Sequence, residues 1–155
     1  MSRLLGEALT PTILKKLGWR PDTFGKAILL VTVDEAGFPH TAVLSYREVA
    51  AKDPATIRFC TLAASRTAQN LRQRRKATLL LIDEGPAYSI KGEAQELPTP
   101  LQSFPGLVAF ALTVKEVLED EEPNIPITSG VRFQPPEKPD SLERGKAIQQ
   151  ELLAL

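Results

Sequence analysis

A hairpin pattern occupies residues 28–47, which read ILLVTVDEAGFPHTAVLSYR. Its first part, 28–33, is a β-branched apolar run typical of a strand that is buried on both faces. Residues 34–39 have turn composition, and Gly37 is free to adopt the positive φ that tight turns often need. Residues 40–47 then alternate, so that every second side chain shares one face of a strand. The stretch therefore predicts two antiparallel strands joined by a short turn.

Further strand patterns follow this hairpin towards the C-terminus. Strands are predicted at residues 56–61, 77–82, 87–97 and 107–118, and a helix is predicted over 64–75. A parallel doubly wound sheet would need a helix between most of its strands, and only one interior pair has one. We therefore predict a mainly-β fold, a small antiparallel barrel of about six strands with peripheral helices.

The segments on either side of the barrel have helix and loop signals. The predicted single domain, residues 1–155, divides into an N-terminal helical segment (1–25), the barrel (27–134) and a C-terminal helix (140–155). Thr10 and Pro11 form a typical helix start, and Gly18 is a typical stop. Residues 123–139 are rich in proline, and 131–133 within them could form a short edge strand.

Composition limits the classes of function. The 155 residues hold 19 Lys and Arg against 19 Asp and Glu, and this zero net charge argues against nucleic acid as the main partner. One cysteine and one histidine cannot supply the usual tetrahedral zinc ligands. No apolar run is long enough to cross a bilayer and no signal peptide is recognisable, so we expect no membrane partner. The single cysteine, Cys60, cannot form an internal disulfide, which favours a reducing cytoplasm, and no bound metal is expected.

Several isolated side chains have two interpretations each. His40 could donate to a cofactor or be a half-exposed strand histidine, and Cys60 could be redox-active or a small buried core residue. Trp19 and Tyr46 could stack on a ring or pack under the sheet. The run from Arg72 to Lys76 contains no acid, which predicts a positive local field.

The end of the third predicted strand and the start of the helix, residues 59–71, are the most informative segment for function. Thr61 lies near the strand end, and Ser65, Arg66 and Thr67 open the helix. A helix start offers unpaired amides and a positive dipole end, and arginine with hydroxyl groups suits a phosphate. The segment predicts either a monophosphate site or a helix that Ser65 merely caps.

The order of these segments resembles the pyridoxamine 5'-phosphate oxidase-like, flavin-binding split barrels. The residues that carry the resemblance are 28–44, Thr61 with 65–71, 77–82 and 127–133, and the likeness extends over about residues 8–134. The resemblance implies a split antiparallel β-barrel of the flavin-binding type. It also implies a homodimer with FMN bound at the subunit interface.

The resemblance further implies which residues bind the cofactor. Ser65, Arg66 and Thr67 would hold the FMN phosphate, with Thr61 nearby. The remaining candidates are Thr41, Val43, Leu44 and Ser45 along the isoalloxazine ring, with Gln69 and Asn70 as further contacts. No catalytic side chain is expected, because a flavin carries out redox chemistry at its own ring. Pyridoxamine phosphate oxidation itself is not implied, because the C-terminal extension of the oxidase has no counterpart here.

Three functions remain open at this stage. The first is an FMN-dependent oxidoreductase or flavin reductase, with NADH or NADPH as a possible hydride donor. The second is a non-catalytic module that binds a flavin, a deazaflavin or haem. The third is an interaction protein whose barrel has lost its cofactor.

Overall fold

The computed structural model describes residues 1–134 and 137–155. Pro135 and Pro136 of the predicted proline-rich passage lie outside the described residues. The strands are β1 (Ser2–Gly6), β2 (Ala27–Val33), β3 (Pro39–Ser45), β4 (Val49–Asp53), β5 (Thr56–Leu62), β6 (Lys76–Leu81), β7 (Ala87–Glu96) and β8 (Leu107–Asp120). The α-helices are α1 (Pro11–Leu17), α2 (Arg66–Arg74) and α3 (Ser141–Ala154).

The strands form one antiparallel sheet in the order β3-β2-β6-β7-β8-β5-β4. The long strand β8 pairs with β7 along one edge, and with β5 and then β1 along the other. Within the described residues β3 and β4 end the sheet path without pairing with each other, so the barrel is split there. The prediction of a mainly-β split barrel with peripheral helices is confirmed.

The predicted hairpin is confirmed with its turn. β2 and β3 pair from Ala27 with Ser45 to Val33 with Pro39. The Asp34 side chain accepts a hydrogen bond of 2.8 Å from the Phe38 amide, and Gly37 has a φ of 87°. Glycine adopts this positive φ without steric cost, which is why it stands at the tip of the turn.

The strand prediction differs from the structure at three places: two strands were missed and one was predicted that does not form. Strands β1 and β4 were not predicted: β1 follows only short apolar patterning, and β4 ends in residues that have turn composition. The predicted edge strand at 131–133 is reduced to one isolated bridge, between Lys26 and Arg132. Two backbone hydrogen bonds flank this bridge, from the Ala27 amide to the Val131 carbonyl and from the Phe133 amide to the Gly25 carbonyl.

The barrel interior is a packed apolar core. The rings of Phe59 and Phe110 stack with centroids 5.6 Å apart, and both side chains are fully buried. Burial of a side chain of this size contributes about 1.5–3 kcal/mol. A smaller cluster under α3 includes Cys60 and Leu152.

The helix signals near the N-terminus are confirmed. The Thr10 side chain accepts a hydrogen bond from the Ile13 amide, Pro11 is the first helical residue, and α1 ends at Leu17 beside Gly18. Among the helices of the described residues, none is both long enough and apolar enough to cross a membrane.

Candidate functional site

The predicted strand, turn and helix are present around Ser65. Ser65 is the N-cap of α2, and its Oγ accepts a hydrogen bond of 3.1 Å from the Ala68 amide. The Thr61 hydroxyl, at the end of β5, lies 3.4 Å from the same Oγ atom. Ser65 therefore does cap the helix, and the two hydroxyl groups converge at its start.

The first turn of α2 holds donors without partners. Among residues 1–134 and 137–155, no backbone or side-chain acceptor reaches the amides of Arg66 and Thr67. Thr67 is only 3% exposed, and its hydroxyl likewise makes no hydrogen bond to a described residue. Two amides and a hydroxyl at the positive end of a helix dipole make a site that suits an anion.

The Arg66 guanidinium is free to bind a ligand. Arg66 is exposed, and in the part of the chain that the structure describes it forms no ion pair. It lines an open cleft of about 310 Å³ together with Asp34 and Glu35 from the β2–β3 turn, and with Gln69, Asn70 and Gln73. Both acids were predicted only as turn residues, and their position in one cleft with Arg66 was not predicted.

The predicted positive field is weaker than the run of cations suggests. Arg72 forms an ion pair with Glu96 of β7 and donates to the Ala63 carbonyl at 2.8 Å. The hydrogen bond between the two side chains raises the pKa of Arg72 and lowers that of Glu96. The prediction omitted this pair because Glu96 is distant in sequence. Arg72 supports the turn before α2 instead of offering its charge to a ligand.

Asn70 connects α2 to the hairpin. It is 4% exposed, and its side-chain amide donates to the Thr32 hydroxyl at 3.0 Å. That hydroxyl in turn lies 3.4 Å from the His40 carbonyl oxygen, which accepts from it. Asn70 therefore orients the helix on the sheet, and it also borders the cleft beside Arg66.

The four predicted ring contacts on β3 divide between two environments. Thr41 and Val43 are exposed on the outer face of an edge strand, and Val43 is 59% exposed. Leu44 is buried in the core, so only its backbone could contact a ligand on that face. Ser45 is also buried, and its hydroxyl donates to Glu48 at 2.9 Å. Thr41 and Val43 thus share the outer face, whereas the Leu44 side chain lies in the core and the Ser45 hydroxyl binds Glu48.

Of the isolated thiol and aromatic groups, Cys60 and Tyr46 are core residues. Cys60 is fully buried, and burial raises the pKa of its thiol well above the usual range. Tyr46 is 4% exposed, and burial raises its pKa to about 12. Both therefore stay protonated at neutral pH. His40 is half-buried at the start of β3, and Trp19 is half-buried beside α3.

Known proteins resemble this chain along most of its length. The sequence profile described as pyridoxamine 5'-phosphate oxidase matches residues 25–133. A Bacillus subtilis protein, uncharacterized protein YclD, is 31% identical over 127 residues, which are 82% of this chain and 82% of that protein.

Solved structures of low sequence identity share the fold. A candidate pyridoxamine 5'-phosphate oxidase from Lactobacillus delbrueckii has a TM-score of 0.57 at 18% identity, over 76% of this chain and 98% of that one. An F420 reductase has a TM-score of 0.51 at 14% identity, over 61% of this chain and 90% of that one. At these identities the likeness extends to the split-barrel fold alone.

Proposed function

The chain belongs to the pyridoxamine 5'-phosphate oxidase-like family of split barrels, and on that premise we propose that it binds FMN and acts as a flavin-dependent oxidoreductase or flavin reductase. The proposal includes a cytoplasmic location, because the single cysteine is buried and needs no disulfide partner.

The unpaired donors at the start of α2 are the observation that supports this function. The amides of Arg66 and Thr67, the Thr67 hydroxyl and the Arg66 guanidinium all lack a partner among the described residues. A phosphate monoester is a dianion with several acceptor oxygens, so it matches this set of donors. The phosphate of FMN would be held here, with Thr61 and Ser65 contributing hydroxyl groups.

The outer face of the sheet supports binding of the ring and of a second copy of the chain. Val43, Leu29 and Leu80 are register partners on β3, β2 and β6, so their side chains form one apolar row across the outer face. A second row contains Thr41, Val31 and Thr78. An apolar surface of this kind favours a partner, and a homodimer would bury it together with the isoalloxazine ring.

The residues of the chain would bind and orient the cofactor. When bound, FMN supplies the capacity to accept a hydride from NADH or NADPH and to pass electrons to an acceptor. Thr41 and Val43 would flank the ring, and the first turn of α2 would hold the phosphate. No side chain has to act as a base or a nucleophile, which agrees with the burial of Cys60 and Tyr46.

A deazaflavin cofactor is the second candidate, since one structural neighbour is an F420 reductase. Its phosphate-bearing tail would use the same donors at α2. The two cofactors differ in the chemistry of the ring, so they predict different absorption spectra. They also predict which cofactor the protein binds more tightly when FMN and a deazaflavin compete.

The test begins with the spectrum of the purified protein and a titration with FMN. We expect a yellow protein with an absorption band at about 450 nm, or uptake of added FMN with saturation at one flavin per chain. Anaerobic bleaching by NADH or NADPH, followed by recovery in air, would support the enzymatic function. Preference for a deazaflavin over FMN would favour the second candidate, and refusal of both would contradict the proposal.

A further inference from the structure

The C-terminal helix α3 contacts two segments that adjoin the proposed flavin site: the turn after β3 and the loop between β7 and β8. The family profile ends at residue 133, and α3 covers Ser141–Ala154, so the helix lies beyond the matched segment. Two of its side chains, Gln149 and Glu151, reach two different parts of the barrel.

Gln149 holds the 3-10 turn that follows β3, the strand that carries the proposed ring contacts Thr41 and Val43 and is called the ring strand below. Its side chain is buried, and its amide nitrogen donates to the carbonyl of Tyr46 at 2.7 Å and to that of Val49 at 2.6 Å. These two carbonyls lie at the ends of the 3-10 turn Tyr46–Glu48, which begins directly after β3. Gln149 thereby fixes the point where the strand with Thr41 and Val43 leaves the barrel.

A second contact strengthens the same attachment. The Arg47 side chain lies against the backbone of Gly145, where an added Cβ would come within 2.2 Å of Arg47 Cδ. Its guanidinium lies 3.4 Å from the Ser141 carbonyl and 5.3 Å from the centre of the Phe24 ring. The glycine allows the helix to approach the 3-10 turn closely enough for Gln149 to reach it.

Glu151 binds the loop that contacts residues 63–65, the turn before α2, which is called the phosphate turn below. Its carboxylate accepts from the amides of Gln102 and Ser103, in the loop between β7 and β8. At the end of that loop, the Gly106 carbonyl accepts a hydrogen bond of 2.9 Å from the Ala63 amide. Ala63 lies in the turn that leads into α2. The helix is therefore connected to the phosphate donors through this loop.

We propose that α3 sets the separation between the ring strand and the phosphate turn, with Gln149 and Glu151 as positioning residues. The inference rests on the proposed function. It assigns to a segment outside the matched family region the task of keeping the two halves of one flavin site in register.

The test compares FMN with riboflavin, which has the same ring and no phosphate. Affinities for both ligands are measured by flavin fluorescence in the parent chain and in Gln149→Met and Glu151→Ala. The matched controls are Gln150→Met and Glu143→Ala, which change exposed residues of the same helix. Thermal unfolding of every variant is recorded alongside.

The two variants should give different signatures. Gln149→Met leaves two buried carbonyls without their donor and displaces the ring strand, so both affinities should fall by about tenfold. Glu151→Ala loosens only the phosphate turn, so FMN affinity should fall about fivefold while riboflavin affinity stays within twofold. The controls should stay within twofold for both ligands. Simple destabilisation would lower both affinities by one factor, so it cannot produce the altered ratio in Glu151→Ala.

Contrary outcomes separate the two proposals. If the parent chain binds FMN and both variants keep parental affinities, or if Glu151→Ala lowers both affinities equally, the positioning role is overturned and the proposed function stands. If the parent chain binds neither flavin, the proposed function and the inference both fall. Should Gln149→Met not fold, Gln149→Asn replaces it. That shorter amide cannot reach both carbonyls, and it should give an intermediate loss for both flavins.

Discussion

Replacing Arg66 by alanine should weaken FMN binding selectively. The guanidinium is exposed and has no partner among the described residues, so its hydrogen bonds to a phosphate would be gained without breaking an existing pair. A hydrogen bond to a charged group contributes about 1.5–3 kcal/mol, and solvent exposure favours the lower end of that range. A loss of about 1.5–2 kcal/mol corresponds to a Kd about 10–30 times higher. Binding should not be abolished, because the amides of Arg66 and Thr67 remain.

The assay for Arg66→Ala is an FMN titration at two salt concentrations, with riboflavin as the second ligand. The FMN affinity of the parent chain should fall with salt more steeply than that of the variant, and riboflavin affinity should be unchanged. Arg74→Ala serves as the control, because Arg74 lies in the last turn of the same helix. An unchanged FMN affinity in Arg66→Ala, or an equal loss for riboflavin, would refute the phosphate assignment.

The remaining predictions concern stability and reactivity. In Gly130→Ala the new Cβ would come within 1.7 Å of the Ile82 carbonyl oxygen, so the free energy of unfolding should fall by about 1–3 kcal/mol in a denaturant titration; an unchanged midpoint would contradict this packing. Burial raises the pKa of Asp83, but the hydrogen bond from Lys26 and the nearby charges outweigh it and hold the pKa below its usual value. The pair should therefore stabilise the fold above about pH 4 and lose this contribution on acidification. Asp83→Asn should therefore unfold with a weaker dependence on acid pH, and an identical pH profile would contradict the pair's role. The buried Cys60 thiol should react with a disulfide reagent only after denaturant is added, and rapid reaction of the native protein would contradict its burial.

Local patterns in the sequence were sufficient to predict most strands of the sheet. The hairpin of β2 and β3 was predictable because β-branched runs flank a turn with glycine at its tip, and both signals are local. Strand β1 was not, because Ser2–Gly6 has little patterning of its own and is stabilised by pairing with Leu118 and its neighbours on β8. Its strand conformation depends on a partner more than a hundred residues away, which no local pattern encodes.

The sequence predicted the backbone of the candidate site well, but it did not predict which charged side chains surround it. The cap by Ser65 and the helix start at Arg66 follow from residue type and position. The ion pair between Arg72 and Glu96, and the proximity of Asp34 to Arg66, depend on how α2 lies across the hairpin and β7. Side chains brought together by tertiary packing therefore changed the charge that the sequence alone suggested.

The position of β1 has a consequence for how the chain is made. Ser2 pairs with Asp120, more than a hundred residues further along the chain. At a synthesis rate of about 5–20 residues per second, strand β1 waits on the order of 10 s for its partner β8 to be made. Until then the chain can complete only its nearer hairpins. Strand β1 therefore docks only after β8 has been made, and a nascent chain halted before residue 120 would keep that edge of the barrel open to chaperones.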